Sequence, residues 1–300
     1  MGENGCDSAG EETFSFPLPL GSLLLPPTNQ KRPKRVPITM KRRAFIKTAA
    51  GVGIAAAASV TKPLADHHGG GHAPQTLEWR KYVVETAEQR AIIDRFLKTA
   101  AIPALNRLGS KPIGVFYDKD NADDLSVYML TPFPSLEAFT GAGQALASDN
   151  EFMANANEYL NTAKKEPGYQ RIESTLMSAF TGFPQVKAPL SGDRIFELRV
   201  YESHNELKAH LKVEMFNEAE LDIFDKVGLQ GVFYGQSVVG SNLPNLTYMI
   251  AYKNMDERKA AWGRFSKHPD WQVLKKNERY KDTVSKIVAK YLVPASYSQV

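Results

Sequence analysis

Two triplets of the same side-chain types, Glu78-x-Arg80-x-Tyr82 and Glu197-x-Arg199-x-Tyr201, stand 119 residues apart. Strand alternation places each triplet on one face. There a guanidinium could grip a carboxylate with two parallel hydrogen bonds, and a phenol could add a hydroxyl. Inside a cavity, with Tyr234 and Tyr248 as neighbours, such a set would hold an anionic or phenolic ligand. The plainer alternative is that the duplicated Glu and Arg pair across an enclosed interior, because a buried charge must be paired. Oxidative catalysis on a bound substrate would require a cavity with Arg80 or Arg199 unpaired and facing it; a structural role locks both arginines to Glu78 or Glu197.

Other chemistry-bearing residues are scattered. His204, His210 and His268 could act as base, haem ligand or metal ligand, but they fall on three elements with no HxxxH or HxH spacing. A surface position on a helix is the better reading of His210. His67, His68 and His72 are weak metal candidates, set among the glycines of a linker with nothing to orient them. Trp262, Phe265 and Trp271 are spaced for one packed face, and Arg258, one turn earlier, caps the helix–sheet edge or lines a cleft. The single cysteine, Cys6, lies upstream of any domain and excludes disulfides and a cysteine nucleophile from the folded part. The absence of GxGxxG after a strand, P-loop, GxSxG and HExxH argues against dinucleotide enzymes, kinases and hydrolases. No cofactor is expected, with haem and flavin left open.

The elements that must carry the triplets form an internal repeat. Gly114-Val115-Phe116-Tyr117 recurs as Gly231-Val232-Phe233-Tyr234, followed each time by a polar turn, a third strand (LSVYML or LTYMIAY) and a helix. Asn242, Pro244 and Asn245 read as the turn in the second copy. Each copy therefore reads β-α-β-β-α, a ferredoxin-like unit, over 77–185 and 194–300. On the strand at 196–200, Phe196, Leu198 and Val200 are expected to carry the helices, while Glu197, Arg199 and Tyr201 look toward a second sheet. A tandem repeat supplies that sheet within one chain.

Upstream lies a leader. Lys41, Arg42 and Arg43 precede Phe45-Ile46-Lys47 and a mildly apolar run from Ala49 to Val60, too short for the ~20 residues that span a bilayer. The pattern over 40–65 resembles a twin-arginine (Tat) export signal, cleaved between residues 58 and 65. It implies a periplasmic or cell-surface protein with no membrane span after processing. Residues 1–39 read as an extension from a start assigned too early, and 66–76 as a His/Gly-rich linker. The leader also explains the net charge of +4: it holds nine of the 37 basic and four of the 33 acidic residues, leaving 28 and 29 after Ala65. Nucleic acid is thereby excluded as a partner of the folded part.

FELRVYE at 196–202, the GVFYGQ to LPNLTYMIAY passage, DERKAAWGRFSKHPDW with Arg258, Trp262 and Trp271, and the C-terminal YLVPASYSQV together resemble the NIPSNAP family of the dimeric α/β-barrel superfamily. The first copy keeps Arg80 and Tyr82 but ends its helix in DNEF, and is similar only as a degenerate copy. The resemblance implies an α+β protein in which tandem ferredoxin-like βαββα units form an intramolecular barrel, with a cleft between a sheet and its helices or inside the barrel. Some superfamily members are monooxygenases of quinols or haem, others only bind, so fold does not fix reaction. Two readings follow: a binding or structural barrel for a small hydrophobic or aromatic ligand or a protein partner, with room for homodimerisation; or a cofactor-poor oxidoreductase of the monooxygenase type, with Arg199 and Tyr201, or Arg80 and Tyr82, around the substrate.

Overall fold

The computed structural model of the chain describes residues 73–300. The leader, the export signal and His67, His68 and His72 lie outside the described residues.

The first unit runs β1 (Thr76–Val83), α1 (Ala87–Phe96), a π-helical turn (Leu97–Ala101), α2 (Ile102–Arg107), β2 (Gly114–Asp118), β3 (Val127–Phe133), α3 (Leu136–Ala147), α4 (Asn150–Asn155), α5 (Asn157–Leu160) and β4 (Arg171–Ala179). The second repeats it: β5 (Ile195–Glu202), α6 (Glu206–Met215), a π-helical turn (Phe216–Glu220), α7 (Leu221–Val227), β6 (Gln230–Val239), β7 (Asn245–Tyr252), α8 (Met255–Lys267), α9 (Pro269–Leu274) and β8 (Lys286–Pro294). Side-chain caps start the matching helices at equivalent positions, Thr86 and Asn205 for α1 and α6, Ser135 and Asn254 for α3 and α8. The 119-residue offset of the triplets thus continues through both helices of each unit. Ladder partners keep it too: Arg80 lies opposite Met129 and Arg199 opposite Tyr248.

Each unit carries one strand more than the βαββα reading. The extra strands close the fold: β4 pairs with β6 and β8 with β2, giving a closed antiparallel barrel in the order β1-β3-β2-β8-β5-β7-β6-β4. The expected tandem ferredoxin-like α+β barrel is therefore present within one chain, with no sheet edge left open.

The strand faces are the reverse of the expectation. Leu77, Phe116, Leu130, Met177, Phe196, Leu198, Phe233, Met249 and Leu292, drawn from both units, form one core inside the barrel. An eight-stranded barrel is just wide enough for side chains to fill, so its interior takes the apolar face. Glu78, Arg80 and Tyr82, and Glu197, Arg199 and Tyr201, lie instead beneath the helices of their own unit. Two further cores hold those helices down, around Ile93, Leu97 and Leu105 in the first unit and around Phe216, Phe224 and Phe265 in the second.

The repeated glycine has a steric cause. A Cβ on Gly114 would stand 2.5 Å from the Phe116 ring, and one on Gly231 would stand 2.6 Å from the Tyr234 ring. At the β6–β7 turn Asn242 takes a left-handed φ of 57°, whereas Asn245 belongs to β7. Buried there, its amide donates to the carbonyl oxygens of Ser241 and Asn242 and ties the turn to the strand. Among the described residues no helix is long and apolar enough to cross a membrane.

Candidate functional site

Residues i and i+2 of a strand share a face, so each arginine reaches back along its strand to the glutamate of its own triplet. In the second unit Glu197 is 0% exposed and accepts five hydrogen bonds. Its Oε1 takes Arg199 Nη1 at 2.6 Å and Arg258 Nη2 at 2.8 Å. Its Oε2 takes Arg258 Nε at 2.9 Å, Trp262 Nε1 at 3.0 Å and the Tyr252 hydroxyl at 3.1 Å. Burial pushes this carboxyl up, but Arg258, Arg199 and Trp262 together hold it below the ordinary glutamate range. The space under the helices is filled. The Trp262 ring lies 4.8 Å from the Arg199 guanidinium, Tyr201 and Tyr248 share a hydroxyl–hydroxyl bond of 2.8 Å, and Tyr234 stacks on Tyr248 at 5.4 Å. Burial raises the phenols of Tyr234 and Tyr248 well above their usual range. Glu197, Arg199, Tyr201, Tyr234 and Tyr248 are brought together, but in a packed helix–sheet core and not toward a second sheet.

The first unit differs at the positions that fill this space. Where the second has Glu220, Phe224, Tyr248, Trp262 and Phe265, the first has Ala101, Leu105, Met129, Gly143 and Leu146. All five smaller residues line a cleft of ≈ 290 Å³ between the sheet and helices α1 to α3, whose floor is Glu78, Arg80 and Tyr82 and whose walls include Phe96, Phe133 and Phe139. Arg80 donates to Glu78 Oε1 from Nε at 3.0 Å and Nη2 at 2.8 Å, and from Nη1 to the Tyr82 hydroxyl at 3.2 Å. Ser174 on β4 adds a bond of 2.7 Å to the same carboxylate oxygen. Both arginines are thus locked to the glutamate of their own triplet, as the structural alternative requires, and Arg80 nonetheless lines a cavity. Burial and the nearby charge act in opposite directions on the Tyr82 phenol; burial wins and raises it.

Two sets of residues lie elsewhere. A second cavity of ≈ 410 Å³ opens at one mouth of the barrel between Trp79, Lys81, Tyr128, Glu173, Val200 and Lys290. Its charges are largely matched: Lys290 pairs with Asp118 and lies 3.7 Å from Asp124, which accepts from Tyr128 at 2.8 Å. Burial works against the Asp124 charge, but bonds from Ser126 and Tyr128 hold its carboxyl down at about 2. The histidines are dispersed. His204 and His210 are exposed, and His268 caps α9 by accepting from the Asp270 amide. No group of three or more His, Cys, Asp or Glu suited to a metal is present among the described residues. Sequence reasoning missed Ser174, Met129 and Gly143; carrying the 119-residue offset into the helix would have set Gly143 against Trp262.

The profile of the NIPSNAP family matches residues 196–299. Comparison with curated proteins finds no match. Among solved structures, a Lactobacillus acidophilus protein provisionally assigned as a monooxygenase is similar with a TM-score of 0.51 at 14% identity, over 74% of this chain and 94% of its own. A NIPSNAP-like domain protein of Burkholderia xenovorans is similar at 21% identity over 36% of this chain and 90% of its own, with a TM-score of 0.33. A NIPSNAP family protein of unknown function from Agrobacterium tumefaciens is similar at 21% identity over 34% and 89%, with a TM-score of 0.31. The first of these likenesses shows the shared α+β barrel fold and nothing of its chemistry.

Proposed function

We propose that the first unit is a binding module for a small hydrophobic or aromatic ligand, seated over Glu78, Arg80 and Tyr82, and that the second unit is its solid structural counterpart. The observation that carries this is the cleft of ≈ 290 Å³ standing where the second unit inserts the Trp262 indole. Apolar walls with a few convergent polar groups are what small-molecule sites are made of, and the volume falls at the small end of their range. The monooxygenase alternative has the fold likeness in its support, but it calls for Arg80 or Arg199 unpaired and both are paired with a glutamate, so binding is the conclusion.

A plug tests it. A Cβ on Gly143 would meet no heavy atom within 4 Å, so a larger side chain has room to enter the cleft. Gly143→Trp is expected to stay folded and to lose saturation-transfer NMR signals from toluene, p-cresol and indole that the parent gives. Equal signals from both proteins would exclude the cleft as the site.

Export by the twin-arginine route is proposed on the strength of Arg42-Arg43 and the short apolar run behind them. Replacing both arginines by lysine is expected to leave full-mass precursor in the cytoplasm. Undiminished processing would point to a different route.

A further inference from the structure

Resting on the binding reading, we infer that the ligand of the first-unit cleft is an uncharged planar aromatic bearing an N–H donor, an indole or an arylamine. The reasoning compares the two copies atom by atom. In the second unit Glu197 Oε2 is satisfied by three donors: Tyr252, Arg258 and Trp262. Their counterparts 119 residues earlier are Phe133, Phe139 and Gly143, and none of those side chains can donate. All three bonds to Glu78 fall on Oε1, from Arg80 twice and Ser174 once. Among the described residues Oε2 therefore accepts no hydrogen bond, although the side chain is only 5% exposed. Oε2 is not sealed in the protein but open to the cleft that Glu78 lines, so the place of its missing donor is one that a ligand can reach, and a hydrogen bond to a charged acceptor is among the stronger ones.

The shape of that donor follows from which volume is empty. Of the three donor positions, those of Tyr252 and Arg258 are taken by the ring-bearing Phe133 and Phe139, and that of the Trp262 indole is vacated by Gly143. The second unit thus carries in covalent form the group that the first unit lacks. There the indole also lies 4.8 Å from the Arg199 guanidinium, and Arg80 is set to meet a ligand ring in the same way, an attraction that favours electron-rich aromatics. Charge supports an uncharged ligand. Glu78 and Arg80 neutralise each other at 2.8 Å; an anion would face the bare Oε2, and a cation would add an unmatched charge between apolar walls. The lost Tyr201–Tyr248 bond adds one detail. With Met129 in place of Tyr248, the Tyr82 hydroxyl accepts from Arg80 and is free among the described residues to donate to a polar substituent on the ring.

Calorimetric titration of the full chain with indole and with 1-methylindole, which keeps the ring and lacks the N–H, tests the inference. Indole is expected to bind at least about tenfold more tightly, the worth of a hydrogen bond to a charged acceptor. Glu78→Gln, which keeps the shape and loses the charge, is expected to shrink that ratio toward one, with Gly143→Trp abolishing both. Equal affinities of indole and 1-methylindole in the parent would overturn the donor inference while leaving the binding reading in place, and so would tighter binding of benzoate than of indole. No binding of indole, 1-methylindole or toluene would remove both.

Discussion

Replacing Glu197 by leucine is expected to cost about 3–5 kcal/mol of folding stability, the range for breaking a buried ion pair on one side. The carboxylate is wholly buried and is the common acceptor of Arg199, Arg258, Trp262 and Tyr252. Its loss strands two guanidinium groups that are only 15% and 23% exposed. Arg199 Nε already lacks a partner among the described residues, so the remaining network has no spare acceptor to offer. The same change at Glu78 is expected to cost about 1–3 kcal/mol, that of one buried group left unsatisfied, because Arg80 is 33% exposed and can hydrate through the cleft. Urea midpoints at unchanged slope measure both; equal losses at the two sites would contradict the contrast drawn between the units. The pH dependence follows from the sign of the shift. Glu197 is held below its ordinary 4.5, so its contribution is fully present above that value and is lost as pH falls through the lower folded-state value. The gap between the parent and Glu197→Gln is expected to narrow in acid.

How the sequence pointed to this site, and where it stopped, can be read from a few residues. The repeat was legible because its landmarks recur at nearly constant spacing, and it led to two ferredoxin-like units closing on each other. The orientation of the strands was not. Alternation separates two faces but names neither when both are buried, and β5 is such a strand, with Glu197 and Phe196 each at 0% exposure. The fourth strands hid for the opposite reason: the first halves of β4 and β8 are exposed and mix polar with apolar residues, so neither period stands out. The candidate residues came from a triplet kept in both copies, and a conserved triplet by itself does not distinguish a filled core from an open cleft. That difference lies in the residues the copies do not share. The first copy looks degenerate by the DNEF ending of its helix, whereas the residues that open it, Gly143 and Met129 above all, lie elsewhere.

The same comparison isolates the other buried charge pair. Lys212 and Glu220 form a 2.6 Å ion pair with side chains only 5% and 3% exposed, beside the Tyr201 and Phe216 rings. At these two positions the first unit holds Ile93 and Ala101, both within its apolar core. The fold therefore tolerates either a matched pair of charges or none, and the costly states are the mixed ones. Lys212→Ile alone leaves a buried carboxylate without its cation and is expected to lose about 3–5 kcal/mol; Glu220→Ala alone strands the ammonium and is expected to lose a similar amount. The double variant Lys212→Ile/Glu220→Ala, which installs the first unit's own residues, is expected to fall within about 1–2 kcal/mol of the parent, since replacing a buried pair by apolar groups is often close to neutral. The four proteins form a double-mutant cycle whose coupling term is read from denaturant midpoints. Additive losses would mean that the pair is not coupled, and that the second unit's interior depends on each charge separately. Strong coupling would establish that the two copies are alternative solutions of one packing problem, one closed by charges and aromatics and the other left open at Gly143.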